Sequence, residues 1–89
     1  MTTAIIKCPD RYIDTTIDDE IVLLALDSAD FFSLTGTSIS IWQLIDGSRT
    51  RAEITSAVAA EYGVAASEIE SEVAEFIDQL VEGGFARNA

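Results

Sequence analysis

The sequence predicts an α+β fold, a winged-helix-like unit in which a three-stranded antiparallel β-meander precedes three α-helices. Three observations predict it. Short β-branched and aromatic runs alternate with polar turns between Tyr12 and Leu34. Apolar spacing then becomes helical from Ser38 onward. Capping boxes and glycine stops bracket the helical stretches.

Met1 to Asp10 carries only a weak signal and reads as an N-terminal segment with a frayed end, leaving residues 11–89 as the domain. Tyr12-Ile13-Asp14-Thr15-Thr16-Ile17 is the first predicted strand, and Asp18-Asp19-Glu20 its turn. Ile21-Val22-Leu23-Leu24-Ala25-Leu26 is apolar on both parities, which predicts a central strand covered on both faces. A tight loop at Asp27 to Asp30 then sets Leu26 opposite Phe31, Ala25 opposite Phe32 and Leu23 opposite Leu34. Phe32 and Leu34 share one face of this third strand, Phe31 and Ser33 the other.

In the first helix Ile41, Leu44 and Ile45 make a stripe flanked by Trp42, with Gly47 placed to stop it. Thr50 with Glu53 caps the second, whose face is Ile54, Ala57, Val58 and Tyr62 and whose stop is Gly63. Ser67 with Glu70 caps the third. Its stripe is Ile69, Val73, Phe76, Ile77, Leu80 and Val81, and Gly83-Gly84 ends it. The carboxylates of Glu68, Glu70 and Glu72 crowd its positive N-terminal end.

A chain of 89 residues with 48% apolar content supports one small domain with a real core. Sixteen acidic residues face five basic ones, for a net charge of −11. This acidity either keeps a small domain soluble or steers a basic partner. Phosphate binding needs clustered Lys and Arg, whereas Lys7, Arg11, Arg49, Arg51 and Arg87 are scattered. Nucleic acid and anionic membranes are therefore excluded as partners. No apolar run is long enough to span a bilayer, and the lone Cys8 forms no intrachain disulfide, so a cytoplasmic setting is expected.

A winged-helix unit invites a DNA-binding reading, but Ser67 to Leu80 holds no Lys or Arg and carries Glu68, Glu70, Glu72, Glu75 and Asp78. Catalysis lacks equipment: there is no His, no cysteine pair and no Gly-rich phosphate loop, and no cofactor is called for. Asp18, Asp19, Glu20, Asp27 and Asp30 cluster at turns without the spacing of a calcium loop. Asp27-Ser28 matches the attachment dipeptide of acyl carrier proteins, which makes a phosphopantetheine on Ser28 the alternative reading. Ala29 stands where Leu or Met is usual, and the site falls between strands rather than at a helix start. The wide stripe of the third helix is either all core or one wall of a groove beside the edge strand Phe31 to Leu34, where an extended peptide adds as another strand.

The chain resembles the PqqD-like family, or RiPP recognition elements. The resemblance rests on Phe31-Phe32-Ser33-Leu34, Gly36, Ile41-Trp42, Leu44, Asp46-Gly47, Arg49-Thr50, Glu53-Ile54 and Tyr62, then Val73, Phe76, Ile77, Leu80, Gly84 and Phe85. It covers Asp14 to Ala86. Thr35 stands where Asn is frequent and Phe85 where Leu is usual, both compatible with the fold.

The resemblance implies a non-catalytic adaptor that binds the leader of a ribosomally made precursor peptide. The leader pairs with the third strand, packs on the third helix and is presented to a maturation enzyme. That enzyme is a lasso-peptide leader peptidase or a radical SAM enzyme. Carried over, Phe31, Phe32, Ser33 and Leu34 supply the edge; Ile69, Glu72, Val73, Phe76 and Ile77 supply the helical wall. Parity alone does not decide which of Phe31 and Phe32 turns into the groove, and both monomer and homodimer remain open.

Overall fold

Ile21, Leu23 and Ala25 alternate with Val22 and Leu24, and this alternation builds the centre of the molecule. The computed structural model describes residues 3–89. In it, Glu20–Ala25 (β3) lies between Tyr12–Ile17 (β2) and Phe31–Thr35 (β4) in one antiparallel sheet. Ile21, Leu23 and Ala25 are buried on one face together with Tyr12 and Leu34. Three helices close over that face: Thr37–Leu44 (α1), Arg51–Tyr62 (α2) and Ala66–Glu82 (α3). They contribute Ile41, Trp42 and Ile45, then Ile54 and Val58, then Val73, Phe76, Ile77 and Leu80 to one continuous core. The expected meander followed by three helices is the architecture present.

The β3–β4 register differs from the expected one. Leu24 pairs with Phe31, Leu23 with Phe32 and Ile21 with Leu34. Leu26 leaves the ladder because its N–H donates to the Arg11 carbonyl at 3.0 Å, and Ala29, at φ +61°, turns its N–H back to the Ala25 carbonyl at 3.0 Å. The loop is thus longer than a tight hairpin. The slip is by two residues, so every side chain keeps its expected face.

The expectation that the central strand is covered on both faces is corrected. Leu24 is 39% exposed, and beside it on the outer face stand Ile13 at 54% and Phe31 at 72%. The helices pack on the inner face, which leaves this outer row open.

The N-terminal segment also differs from its reading. Residues 1 and 2 lie outside the described residues, but Ile5–Lys7 (β1) pairs antiparallel with Ala86–Asn88 (β5). The Ile5 N–H donates to the Arg49 carbonyl at 3.0 Å, its carbonyl accepts from Gly47 at 3.2 Å, and its side chain is fully buried. The partner of β1 lies at the other end of the chain, beyond the reach of a local pattern.

Two of the expected helix signals act elsewhere. α1 ends at Leu44, with the Ile45 N–H on the Trp42 carbonyl, so Gly47 belongs to the following loop. The Thr50–Glu53 box forms in both directions, at 3.2 and 2.9 Å. The Ser67–Glu70 box does not form. Ala65 is the extended residue before α3, which puts Ser67 inside the first turn. At the other end, Gly84 sits at φ +82°, the Phe85 N–H donates to Leu80 at 2.9 Å and the Gly84 N–H to Val81 at 3.2 Å. This Schellman pattern satisfies the last carbonyls and turns Phe85 back under the sheet.

Candidate functional site

Sheet order makes β4 an edge strand. The Ala25 N–H donates to the Asp30 carbonyl at 2.8 Å, and in an antiparallel ladder bonded pairs recur every second residue. The bonded pairs are therefore Phe32 with Leu23 and Leu34 with Ile21. The N–H and carbonyl groups of Phe31, Ser33 and Thr35 point away from the sheet. Among the described residues no loop or helix takes up these groups.

Beside that edge stands α3. The Phe32 ring meets Phe76 edge-on at 5.7 Å between centroids and Phe85 at 6.1 Å. Phe85 in turn meets Tyr12 at 6.1 Å, and Tyr12 meets Trp42 at 5.4 Å. Phe32 is thus the outermost member of an aromatic chain that runs through the core. Phe32 faces α3 and Phe31 faces the opposite side, which settles the question that parity left open. Gly83 allows the last turn to close: a Cβ there would lie 2.7 Å from the Phe85 ring.

The nine residues expected at the site divide by depth. Phe32 and Phe76 touch, and half-buried Ile69 packs on the same cluster. Glu72 is exposed one turn before Phe76. Val73 and Ile77 lie at 1% and 0% exposure, beneath the wall rather than on it. Leu34 is fully buried, whereas Phe31 and Ser33 direct their side chains to the outer face. Sequence reasoning missed Thr35 as an edge residue and Phe85 as a support for Phe32. The alternation of β4 carries the first signal; nothing local carries the second.

Three of the five basic side chains are held in ion pairs. Arg11 pairs with Asp27 at 2.8 Å, Arg49 with Asp46 at 2.6 Å and Arg51 with Asp78 at 2.7 Å. The Lys7 ammonium lies 4.4 Å from the centre of the Trp42 ring. Burial there pulls the Lys7 pKa down, against the pull of Asp14 and Asp46. Burial likewise pushes the Tyr12 phenol up, helped by Asp14 and Cys8. Arg11 is held at the β3–β4 loop by Asp27, and its guanidinium flanks Gly84.

Other candidate sites offer less. Among the described residues, no group of three His, Cys, Asp or Glu side chains is placed to hold a metal, and no helix is long and apolar enough to cross a membrane. Ser28 is exposed in the β3–β4 loop, where its Oγ accepts from the Asp30 N–H at 3.4 Å, and it opens no helix. A hollow between α2 and α3 is lined by Arg51, Thr55, Ser56 and Glu70. Arg51 is already engaged there by Asp78 and by the Ala74 carbonyl at 3.3 Å.

A free strand edge beside an aromatic-lined helix completes a winged-helix-like α+β domain. The chain matches the family model for coenzyme PQQ synthesis protein D (PqqD) over residues 20–86, and it belongs to that family. A solved structure of TbiB1 in complex with the TbiA(beta) leader peptide is similar to it, with 30% identity and a TM-score of 0.79. The match covers 94% of this chain and 98% of that one. A lasso peptide synthetase B1 complexed with its leader peptide shares the fold at 24% identity and a TM-score of 0.77, covering 93% and 96% of the two chains. No match was found among the curated proteins.

Proposed function

We propose that this protein is a non-catalytic adaptor for a ribosomally synthesised precursor peptide. The leader segment adds as a strand to β4, rests against α3 and is presented to a maturation enzyme, either a leader peptidase or a radical SAM enzyme. The observation that carries this reading is the open backbone of Phe31, Ser33 and Thr35 next to the Phe32–Phe76 contact. The leader-peptide complexes of the two similar structures support it. The absence of His and of paired cysteines supports a binding role without chemistry of its own.

Energetics divide the work between backbone and side chains. Micromolar binding needs about −8 kcal/mol. Each outward backbone group contributes about 0.5–1.5 kcal/mol net once bonded, and ordering the peptide offsets part of the sum. Affinity and choice of leader therefore come largely from side chains that reach Phe32, Ile69, Glu72 and Phe76. Val73 and Ile77 support that wall from below.

Ser33→Pro tests the reading. Proline removes an N–H that points outward and leaves the β3–β4 bonds intact, a placement that edge strands tolerate. Leader peptides synthesised from short reading frames beside the gene are the ligands. The variant is expected to keep its circular dichroism spectrum and to lose leader affinity by about tenfold or more, from one bond and the clash of its ring. Undiminished affinity in calorimetry would remove β4 as the docking edge.

A further inference from the structure

One row of α3, formed by Glu68, Glu72, Glu75, Gln79 and Glu82, is exposed along its length. Steps of four and three residues keep it on a single flank of the helix. The α2 side is occupied by other residues, among them Glu70, Ala74 and Asp78. Glu72 precedes Phe76 by one turn, and Phe76 touches Phe32 of β4, so Glu72 borders the β4–α3 groove, with Glu68 one turn before it and Glu75 and Glu82 set farther from the sheet on the same flank. Among the described residues, none of its four carboxylates is in an ion pair, because the three pairs use Asp27, Asp46 and Asp78. The groove has an aromatic floor, an open backbone on one bank and unneutralised carboxylates on the other.

Resting on the leader-binding reading above, we infer that the segment accepted here is cationic. It is extended and apolar where it meets Phe32 and Phe76, and it carries Lys or Arg on the same parity next to that position. An added strand sends alternate residues towards α3, about 6.8 Å apart. Carboxylates one helical turn apart are separated by about 6 Å along the axis. The two spacings match closely enough for flexible stems to bridge them. The stems of Lys and Arg cover apolar surface such as Ile69 while their heads reach the carboxylates. An acidic leader meets repulsion along the whole row, so the same charges that admit one peptide reject another.

A displayed library of random dodecapeptides tests this with no leader sequence assumed. It is panned against the wild type, against Glu72→Lys/Glu75→Lys, and against Asp14→Lys/Glu70→Lys, which changes net charge equally but on β2, at the other edge of the sheet, and on the α2 side of α3. The wild type is expected to select an apolar residue with Lys or Arg at alternate positions. The selected peptide is expected to bind the groove-side variant about tenfold more weakly at low salt, a gap that closes by about 0.5 M salt, while the remote variant keeps most of its affinity. Selection without cationic preference, or equal losses in the two variants, overturns the inference. Ser33→Pro and Ile69→Asp, checked for folding by circular dichroism, separate the two levels. If they abolish binding while the charge variants do not, leader binding stands and its cationic character falls. If they bind as the wild type does, or if the library yields no enrichment, the groove reading itself falls. Should either variant misfold, amide exchange of the wild type with the selected peptide replaces it: protection at Phe31, Ser33 and Thr35 upholds the groove, and unchanged exchange there removes it.

Discussion

Phe31 and Phe32 are adjacent and chemically identical, yet one ring stands 72% exposed on the outer face while the other meets Phe76 and Phe85. Strand alternation alone produces this difference. Phe32→Ala is expected to cost about 2 kcal/mol in urea unfolding, below the cost at a fully buried site because Phe32 is only half-buried. Phe31→Ser is expected to stay within about 0.5 kcal/mol of the wild type. Equal losses in the two variants would contradict the assigned faces. Alternation was legible in the sequence, but its direction depends on where the helices pack, which no window around β4 reveals.

Asp46 carries the residue-scale pH dependence. Its carboxylate accepts from the Ser48 N–H at 3.0 Å and the Ser48 hydroxyl at 2.8 Å, and pairs with Arg49 at 2.6 Å. These contacts, the Ser48 backbone bond first, hold its pKa below the ordinary value of 3.8. A depressed carboxylate binds fewer protons folded than unfolded. Its contribution is present above the unfolded value and lost as pH falls through the folded one. Asp46→Asn is therefore expected to lower the Tm at neutral pH and to flatten its decline below about pH 4. A variant with an unchanged acid slope would contradict this.

Elements show why some signals were readable and others were not. The Thr50–Glu53 box is local, both partners lie within one turn, and it forms as its spacing predicts. Ser67 and Glu70 have the same spacing, but the backbone turns at Ala65, and a motif does not specify which residue is extended. β1 was missed because its three residues pair with β5 at the far end of the chain. Its burial makes it structural, so Ile5→Ala is expected to lower stability by about 2–4 kcal/mol in denaturant unfolding. A loss under about 0.5 kcal/mol would return β1 to the status of a frayed end. Gly83 links α3 to the site, because any side chain there meets the Phe85 ring that supports Phe32. Gly83→Ala is expected to lose about 1–3 kcal/mol and to weaken peptide binding along with it.

At the scale of the whole molecule, sheet, helices and family were legible because apolar periodicity and the run from Phe31 to Ile54 are strong patterns. The depth of each site residue was not, since Val73, Phe76 and Ile77 form one stripe in sequence and separate only when β4 and α2 take opposite sides of α3. The free edge also follows from topology, because β4 is last in the sheet order and α1 leaves directly from it. Strand addition at this edge is the central claim, and site-resolved amide hydrogen exchange with a saturating leader peptide tests it most directly. The account predicts new protection at Ser33, Phe31 and Thr35, whose N–H groups point outward, with little change at Phe32 and Leu34, which already bond to β3. Unchanged exchange at all three outward amides, or new protection along β2 instead, would contradict it.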